Sequence, residues 1–392
     1  MRLRLPGECV SLLLLTAWGL PGFAGEAAGE PIVIGQQFEI VSPSMGETRR
    51  YQVHRPANYD SGNDRYPVLI VLDGEEDFAH ASTTVDALAA ADKIPPMIVV
   101  GIPNTNRGRD LVPHGKPPPG VAPSGHGGPE KFIQFIASEL IPKIDHDYRT
   151  RPYRVLVGHS DGGLLALYAL IREPGAFRGY VVASPAFGDS RAVGQEVDAF
   201  LREHKDVAAD IYMTTANETG GILSGSWELA SWLQERTFRT NLRFSYRRYP
   251  EENHGSIPVR SIYDGLQAIF AGWQIEDPFR FYEEAGLSGL DRHYATLSAH
   301  LGYTVSAPQE TLFSIFFGLE ADQRAQAEQI INKAIAYYPT SANAYYYAGR
   351  LALEMKNTPL AVERLKKSIA LEPGIQGPRT LLRQAGIDPD AK

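Results

Sequence analysis

Between residues 32 and 56 polar and apolar residues alternate, as in Gln37-Phe38-Glu39-Ile40-Val41 and Arg50-Tyr51-Gln52-Val53-His54. A period of two predicts antiparallel strands with one buried face. From Pro67 the texture changes to short, continuous apolar runs: Val68–Leu72, Met97–Gly101, Arg154–Val157, Tyr180–Ala183, Asp210–Met213 and Leu242–Tyr246. Helical segments such as Lys131–Ala137 fill most of the gaps. Strands buried on both faces and separated by helices predict a mostly parallel sheet with helices on either side.

Antiparallel strands first and parallel ones afterwards is the order of an α/β-hydrolase, and residues 31–276 are expected to form that domain. The 392 residues leave room for something smaller behind it. Residues 277–320 are expected to be a helical linker and 321–392 a small helical extension. In that extension Lys333-Ala334-Ile335-Ala336 with Pro339 returns as Lys367-Ser368-Ile369-Ala370 with Pro373. The spacing of 34 residues resembles a tetratricopeptide repeat. Only about one and a half such units fit, too few to bury their own face, so they should dock on the hydrolase or on a second subunit.

Arg2 and Arg4 precede an apolar stretch, Val10–Leu20, and then Gly22-Phe23-Ala24. A basic start, a short apolar run and small residues predict a signal peptide over residues 1–24, and therefore a periplasmic or secreted chain. The run is too short for a comfortable transmembrane helix, so no membrane contact is expected once it is cleaved. The single cysteine, Cys9, lies inside it, leaving the mature chain without thiol or disulfide. The net charge of −8 gives no reason to expect nucleic-acid binding. No Cys/His cluster has zinc-ligand spacing, so no metal is expected, and the side-chain chemistry read below needs no cofactor.

The chemistry starts at Gly158-His159-Ser160-Asp161-Gly162, between the run Arg154–Val157 and the apolar helix former Leu164–Leu170. G-x-S-x-G between strand and helix predicts a nucleophile elbow, with Ser160 in a strained turn and glycines letting strand and helix approach. A serine hydroxyl is a poor nucleophile until a base takes its proton, and in this fold the order is serine, acid, histidine. His254 lies just beyond the final predicted strand, 94 residues after Ser160, with Gly255 freeing the loop behind it. It is the candidate base. The acid should follow the penultimate strand, where Glu218 comes after Asp210–Asn217. Glu228 competes one helical stretch later, Glu251 and Glu252 lie too close to His254 in sequence, and a bare Ser-His dyad stays open. Two backbone amides should hold the oxyanion. One belongs to Asp161, the other to Glu75 in the loop after Val68–Leu72, with Gly74 and Glu76 as neighbouring alternatives. A carboxylate at Asp161 is awkward beside a developing anion, so its side chain should point away.

Together these stretches resemble the esterase family of α/β-hydrolases that includes enterochelin esterase, esterase D and the IroE-like periplasmic serine hydrolases. The resemblance is carried by Val71–Gly74, Gly101–Asn104, Arg107–Pro113, Gly127–Phe132, Glu139–Asp145, Gly158–Gly163 and His254–Pro258, over roughly residues 35 to 275. It implies ester hydrolysis through an acyl-enzyme, with Ser160 and His254 in the matching places and a small-molecule ester as substrate. Siderophore lactones and short-acyl esters are both compatible with it. The family commonly has an apolar residue where Asp161 stands, and some members manage with a dyad. Arg107 and Arg109 follow a parallel strand on the side where such sheets bind ligands. They are either an anion clamp for substrate or structural ion pairs with Asp110 or another loop carboxylate. The Gly/Pro-rich loop 113–128 is either disordered or shapes the mouth of the site. A different class of function, a hydrolase fold kept as a scaffold, would use the carboxy-terminal helices to hold a second copy or a protein partner.

Overall fold

The computed structural model describes residues 29–57, 59–113, 128–187, 191–319 and 321–390. The expected signal peptide with Cys9, and nearly all of the Gly/Pro-rich loop, lie outside them. Residues 34–392 form one compact unit.

Among the described residues eight strands make one sheet: β1 (Gln36–Ser42), β2 (Glu47–His54), β3 (Tyr66–Leu72), β4 (Ile98–Ile102), β5 (Thr150–His159), β6 (Gly179–Ala183), β7 (Ala208–Thr215) and β8 (Asn241–Arg248), in the order β1-β2-β4-β3-β5-β6-β7-β8. β1 and β2 pair antiparallel, as their period of two predicts, and Phe38 stacks on Tyr51 directly across the ladder. β2 also runs antiparallel to β4; every other neighbour pair is parallel. All seven residues of β3 are buried, because both of its faces are covered.

Alternation along β3 divides the core in two. Val68, Ile70 and Leu72 point into one layer, Leu69 and Val71 into the other. The first layer is closed by Gly128–Asp147 and by the helices Asp161–Arg172, Arg191–Glu203 and Gly220–Thr237. Within Gly128–Asp147 a π-helical stretch, Ile136–Leu140, separates two α-helical pieces. The second layer takes α1 (Gly74–Ala90) and the helix Ile257–Ile269, and then continues into the carboxy-terminal region.

Among its described residues that region is helices joined by loops, starting with Pro278–Leu301 and Gln309–Gly318 over the segment expected as a linker. Leu290, Tyr294, Leu297, Leu312 and Ile315 from these helices share the second core layer with Leu69 and Val71. Helices Arg324–Tyr337 and Ala342–Glu354 add Ile330, Ile331, Ala334 and Leu351 to the same cluster. Helix Ala342–Glu354 then pairs with Thr358–Leu371, where the Ser368 hydroxyl donates to the Ala342 carbonyl at 2.8 Å. The carboxy-terminal helices thus bury their apolar faces against the hydrolase sheet layer and against one another.

Candidate active site

The parallel strands end on one side of the sheet, and three of them end in non-glycine residues with positive φ: Asp73 after β3 (52°), Ser160 after β5 (57°) and Ser184 after β6 (40°). Such conformations cost roughly 1–3 kcal/mol each and persist only where the surroundings over-determine them. Ser160, with φ 57° and ψ −116°, stands between β5 and the helix Asp161–Arg172, at the helix amino end. Its amide donates to the Ala183 carbonyl at 3.0 Å and its carbonyl accepts from the Ala186 amide at 3.1 Å, so β6 grips the turn from outside. Space requires glycine at 158 and leaves only a tight fit at 163. A Cβ on Gly158 would fall 2.0 Å from the Gly162 carbonyl oxygen. On Gly163 it would meet the Ala183 oxygen and the Pro185 Cα at 3.2 Å.

His254 reaches Ser160 from the loop after β8. Its Nε2 lies 3.0 Å from Ser160 Oγ and its Nδ1 2.5 Å from Glu218 Oε1. The loops after β7 and β8 are tied together: the Asn217 amide donates to the Glu252 carbonyl (2.9 Å) and the Tyr249 amide to the Thr215 carbonyl (2.8 Å). Asn253 caps the turn that presents the imidazole, its Oδ1 accepting from the amides of Gly255 and Ser256. Glu218 is buried, and its second oxygen accepts from Ser184 Oγ at 3.0 Å and from the Ala216 amide at 3.2 Å. Burial alone would raise its pKa. The hydrogen bonds from His254, Ser184 and Ala216 outweigh that and hold the carboxyl below its usual range. Glu228, the competing acid, is exposed on the helix Gly220–Thr237, and the Glu252 carboxylate accepts from Ser256 Oγ at 2.5 Å.

Asp161 opens the helix behind Ser160, and Gly74 and Glu75 open α1, so their amides point out of helix ends with no partner in the preceding turn. The Glu75 side chain is turned aside, its two oxygens accepting from the amide and side-chain nitrogen of Asn104 at 3.0 and 2.9 Å. Asp161 is also turned aside, by Arg107, whose Nη1 donates to Asp161 Oδ2 at 2.6 Å. Arg107 meets Asp73 as well, through Nε (2.8 Å) and Nη2 (3.1 Å), and reaches the His159 carbonyl at 3.3 Å. Burial works against this guanidinium's charge, but the two carboxylates raise its pKa above the ordinary value. Arg109 is engaged elsewhere, with Glu47 at 2.6 Å and Asp110 at 2.5 Å, and Asp110 is in turn paired at 2.6 Å with the fully buried Arg49. The two arginines read together from the sequence therefore separate, Arg107 to the elbow and Arg109 to the start of β2.

Three contributors carried no signal that sequence reasoning used. Ser184 follows β6 and acts on Glu218 only because the sheet order sets β6 beside β7. Asp73 packs against the elbow, 3.3 Å from where a Gly162 Cβ would be. His159, inside the motif itself, lies with its ring centroid 4.5 Å from that of His254. Burial, and then the neighbouring His254, push its pKa below the usual value, and its Nε2 is buried with no hydrogen-bond partner among the described residues. Among the described residues, no group of three or more His, Cys, Asp or Glu side chains could hold a metal ion, and no helix is long and apolar enough to cross a membrane.

The family model Esterase ("Putative esterase") matches residues 42–256, more than half of the chain, from the end of β1 to the His254 loop. The chain is 29% identical over 214 residues to the siderophore triacetylfusarinine C esterase of Aspergillus fumigatus, covering 50% of this chain and 70% of that protein. It is 33% identical over 141 residues to the ferri-bacillibactin esterase BesA of Bacillus subtilis, a match spanning 31% of this chain and about half (48%) of that relative. Among solved structures, an IroE-like serine hydrolase from Shewanella oneidensis superposes with a TM-score of 0.65 at 27% identity, over 77% of this chain and 99% of that one. With the sheet order, the elbow and the matched span agreeing, the chain belongs to the esterase family of α/β-hydrolases.

Proposed function

We propose that the chain is a serine esterase that cleaves a carboxylic ester through an acyl-enzyme at Ser160. The observation that carries the reading is the continuous link from Ser160 Oγ through both nitrogens of His254 to the buried Glu218, at 3.0 and 2.5 Å. In this mechanism Ser160 Oγ attacks the ester carbonyl carbon while His254 Nε2 takes its proton. The carbonyl oxygen becomes an oxyanion held by the amides of Asp161 and Glu75. The tetrahedral intermediate expels the alkoxide, which leaves as the alcohol with the proton from His254. Water then attacks the acyl carbon, His254 again taking and returning a proton, and the acid departs as Ser160 is restored. Glu218 keeps the Nδ1 proton in place and offsets the positive charge that forms on the imidazole.

The substrate class rests on the relatives: one is named a siderophore esterase and another a ferri-bacillibactin esterase, so a siderophore ester or lactone is the leading choice, with short-acyl esters beside it. A periplasmic or secreted location follows from the amino-terminal pattern of residues 1–24. The test is fluorophosphonate labelling of the protein, read beside p-nitrophenyl ester turnover, in wild type, Ser160→Ala and His254→Ala. Labelling is expected to disappear in Ser160→Ala, and turnover to fall at least about a thousandfold in both variants. A folded wild type that neither labels nor turns over any ester would overturn the reading.

A further inference from the structure

We infer that Asp161 and Arg107 act as a charge filter beside the nucleophile, and that the preferred ester carries no negative charge near its scissile bond. This rests on the reading of Ser160 as the nucleophile. Among the described residues Arg107 is a cation whose guanidinium reaches the elbow, touching the His159 carbonyl one residue before Ser160. An arginine there is the natural clamp for an anionic substrate group, since its planar fork matches a carboxylate.

Here four of the fork's five N–H groups are already taken. Asp73 takes Nε and Nη2, and it is a fixed partner: buried, and held a second time by Asn104 Nδ2 at 2.6 Å. Nη1 faces Asp161 at 2.6 Å, and this contact differs in kind. The Asp161 side chain keeps 30% of its surface open and the Arg107 side chain 38%, so their pairing lies at the solvent-facing side of the cluster. Two carboxylates on one guanidinium leave a net charge of about −1, and the exposed Glu75 adds another where α1 begins. An incoming carboxylate or catecholate would meet that excess with a single guanidinium N–H, on Nη1, left to offset it. A neutral or cationic ester meets no such penalty. Among ester-linked iron chelators, this favours an uncharged hydroxamate complex over a multiply anionic catecholate one.

Neutralising Asp161 should release Nη1 and bring the cluster of three to zero. The test uses three p-nitrophenyl esters of one acyl chain length, ending in a methyl, a carboxylate or a trimethylammonium group. They are compared in wild type and in the near-isosteric Asp161→Asn. In wild type, kcat/KM for the carboxylate ester should lie about five- to tenfold below that of the methyl ester at low ionic strength. The gap should narrow in about 1 M salt. The trimethylammonium ester should equal or exceed the methyl ester. In Asp161→Asn the carboxylate-to-methyl ratio should rise by about the same factor; taken within each protein, this ratio cancels any loss common to all esters. Wild type that hydrolyses the carboxylate ester as well as the methyl ester would overturn the filter, as would Asp161→Asn shifting all three esters alike. Absence of turnover on all three, with no fluorophosphonate labelling, would instead overturn the esterase reading beneath it.

Discussion

Replacing Glu218 by glutamine separates a working triad from a Ser-His dyad, because the side chain keeps its shape and loses only its charge and one acceptor. In the native site both carboxylate oxygens are committed. One faces His254 Nδ1 at 2.5 Å, the other the Ser184 hydroxyl and the Ala216 amide at 3.0 and 3.2 Å. The Ala216 amide can only donate, and since it donates to Ser184 Oγ as well (3.2 Å), the serine proton is directed at Glu218. Glutamine has one acceptor oxygen for these two sides. If its oxygen stays with Ser184 and Ala216, its NH2 faces Nδ1 and forces the imidazole proton onto Nε2, the atom that must accept from Ser160. If the amide flips, its NH2 opposes the buried Ala216 donor, at a cost of about 1–3 kcal/mol. Either orientation also removes the charge that offsets the imidazolium. The expected loss in kcat is about a hundredfold to ten-thousandfold, or about 3–5 kcal/mol of transition-state stabilisation. The assay is initial-rate hydrolysis of p-nitrophenyl butyrate, normalised to folded protein by circular dichroism and with the melting temperature recorded. Glu218→Gln retaining more than about a tenth of wild-type kcat with unchanged melting would refute the tautomer argument and leave His254 acting in a dyad.

Two further outcomes test the elbow and its surroundings. Gly158→Ala places a Cβ 2.0 Å from a backbone oxygen and should abolish soluble folded protein or lower stability by several kcal/mol, about 3 or more. Gly163→Ala, whose nearest contacts are at 3.2 Å, should cost only about 1 kcal/mol, and equal melting temperatures for the two variants would contradict the packing argument. His159 has a folded-state pKa below its unfolded value of 6.5, so the unfolded chain binds the extra proton and stability falls as pH drops below that value. The slope is at most about 1.4 kcal/mol per pH unit, and it ends at the folded pKa. His159→Gln should flatten this part of the profile in denaturant melts between about pH 7.5 and about pH 5.5. An unchanged slope would mean that His159 is not the group titrating there.

What the sequence determined by itself was local. Burial on one face or two is written into a period of two or a continuous apolar run, so the first hairpin and the cores of the parallel strands could be read directly. The elbow was legible for the same reason: strand, serine between glycines and helix are adjacent in the chain. His254 and Glu218 could be placed because each follows a strand whose position was already known. Strand ends were less legible. β5 begins at Thr150, four residues before its apolar run, because pairing with Tyr66 across a register shift carries it past Pro152. Only the tertiary structure decided what depends on which strands are neighbours. It set β6 beside β7, so that Ser184 reaches Glu218, and folded the segment after β4 onto the elbow, so that Arg107 meets Asp73 and Asp161 while Arg109 turns to Glu47. It also laid the carboxy-terminal helices on the layer beneath Leu69 and Val71. Apolar periodicity says that a face must be buried, but not against what. An ion pair between residues 54 apart, such as Arg107 and Asp161, leaves no periodic trace, because its partners meet only once the sheet has chosen its order.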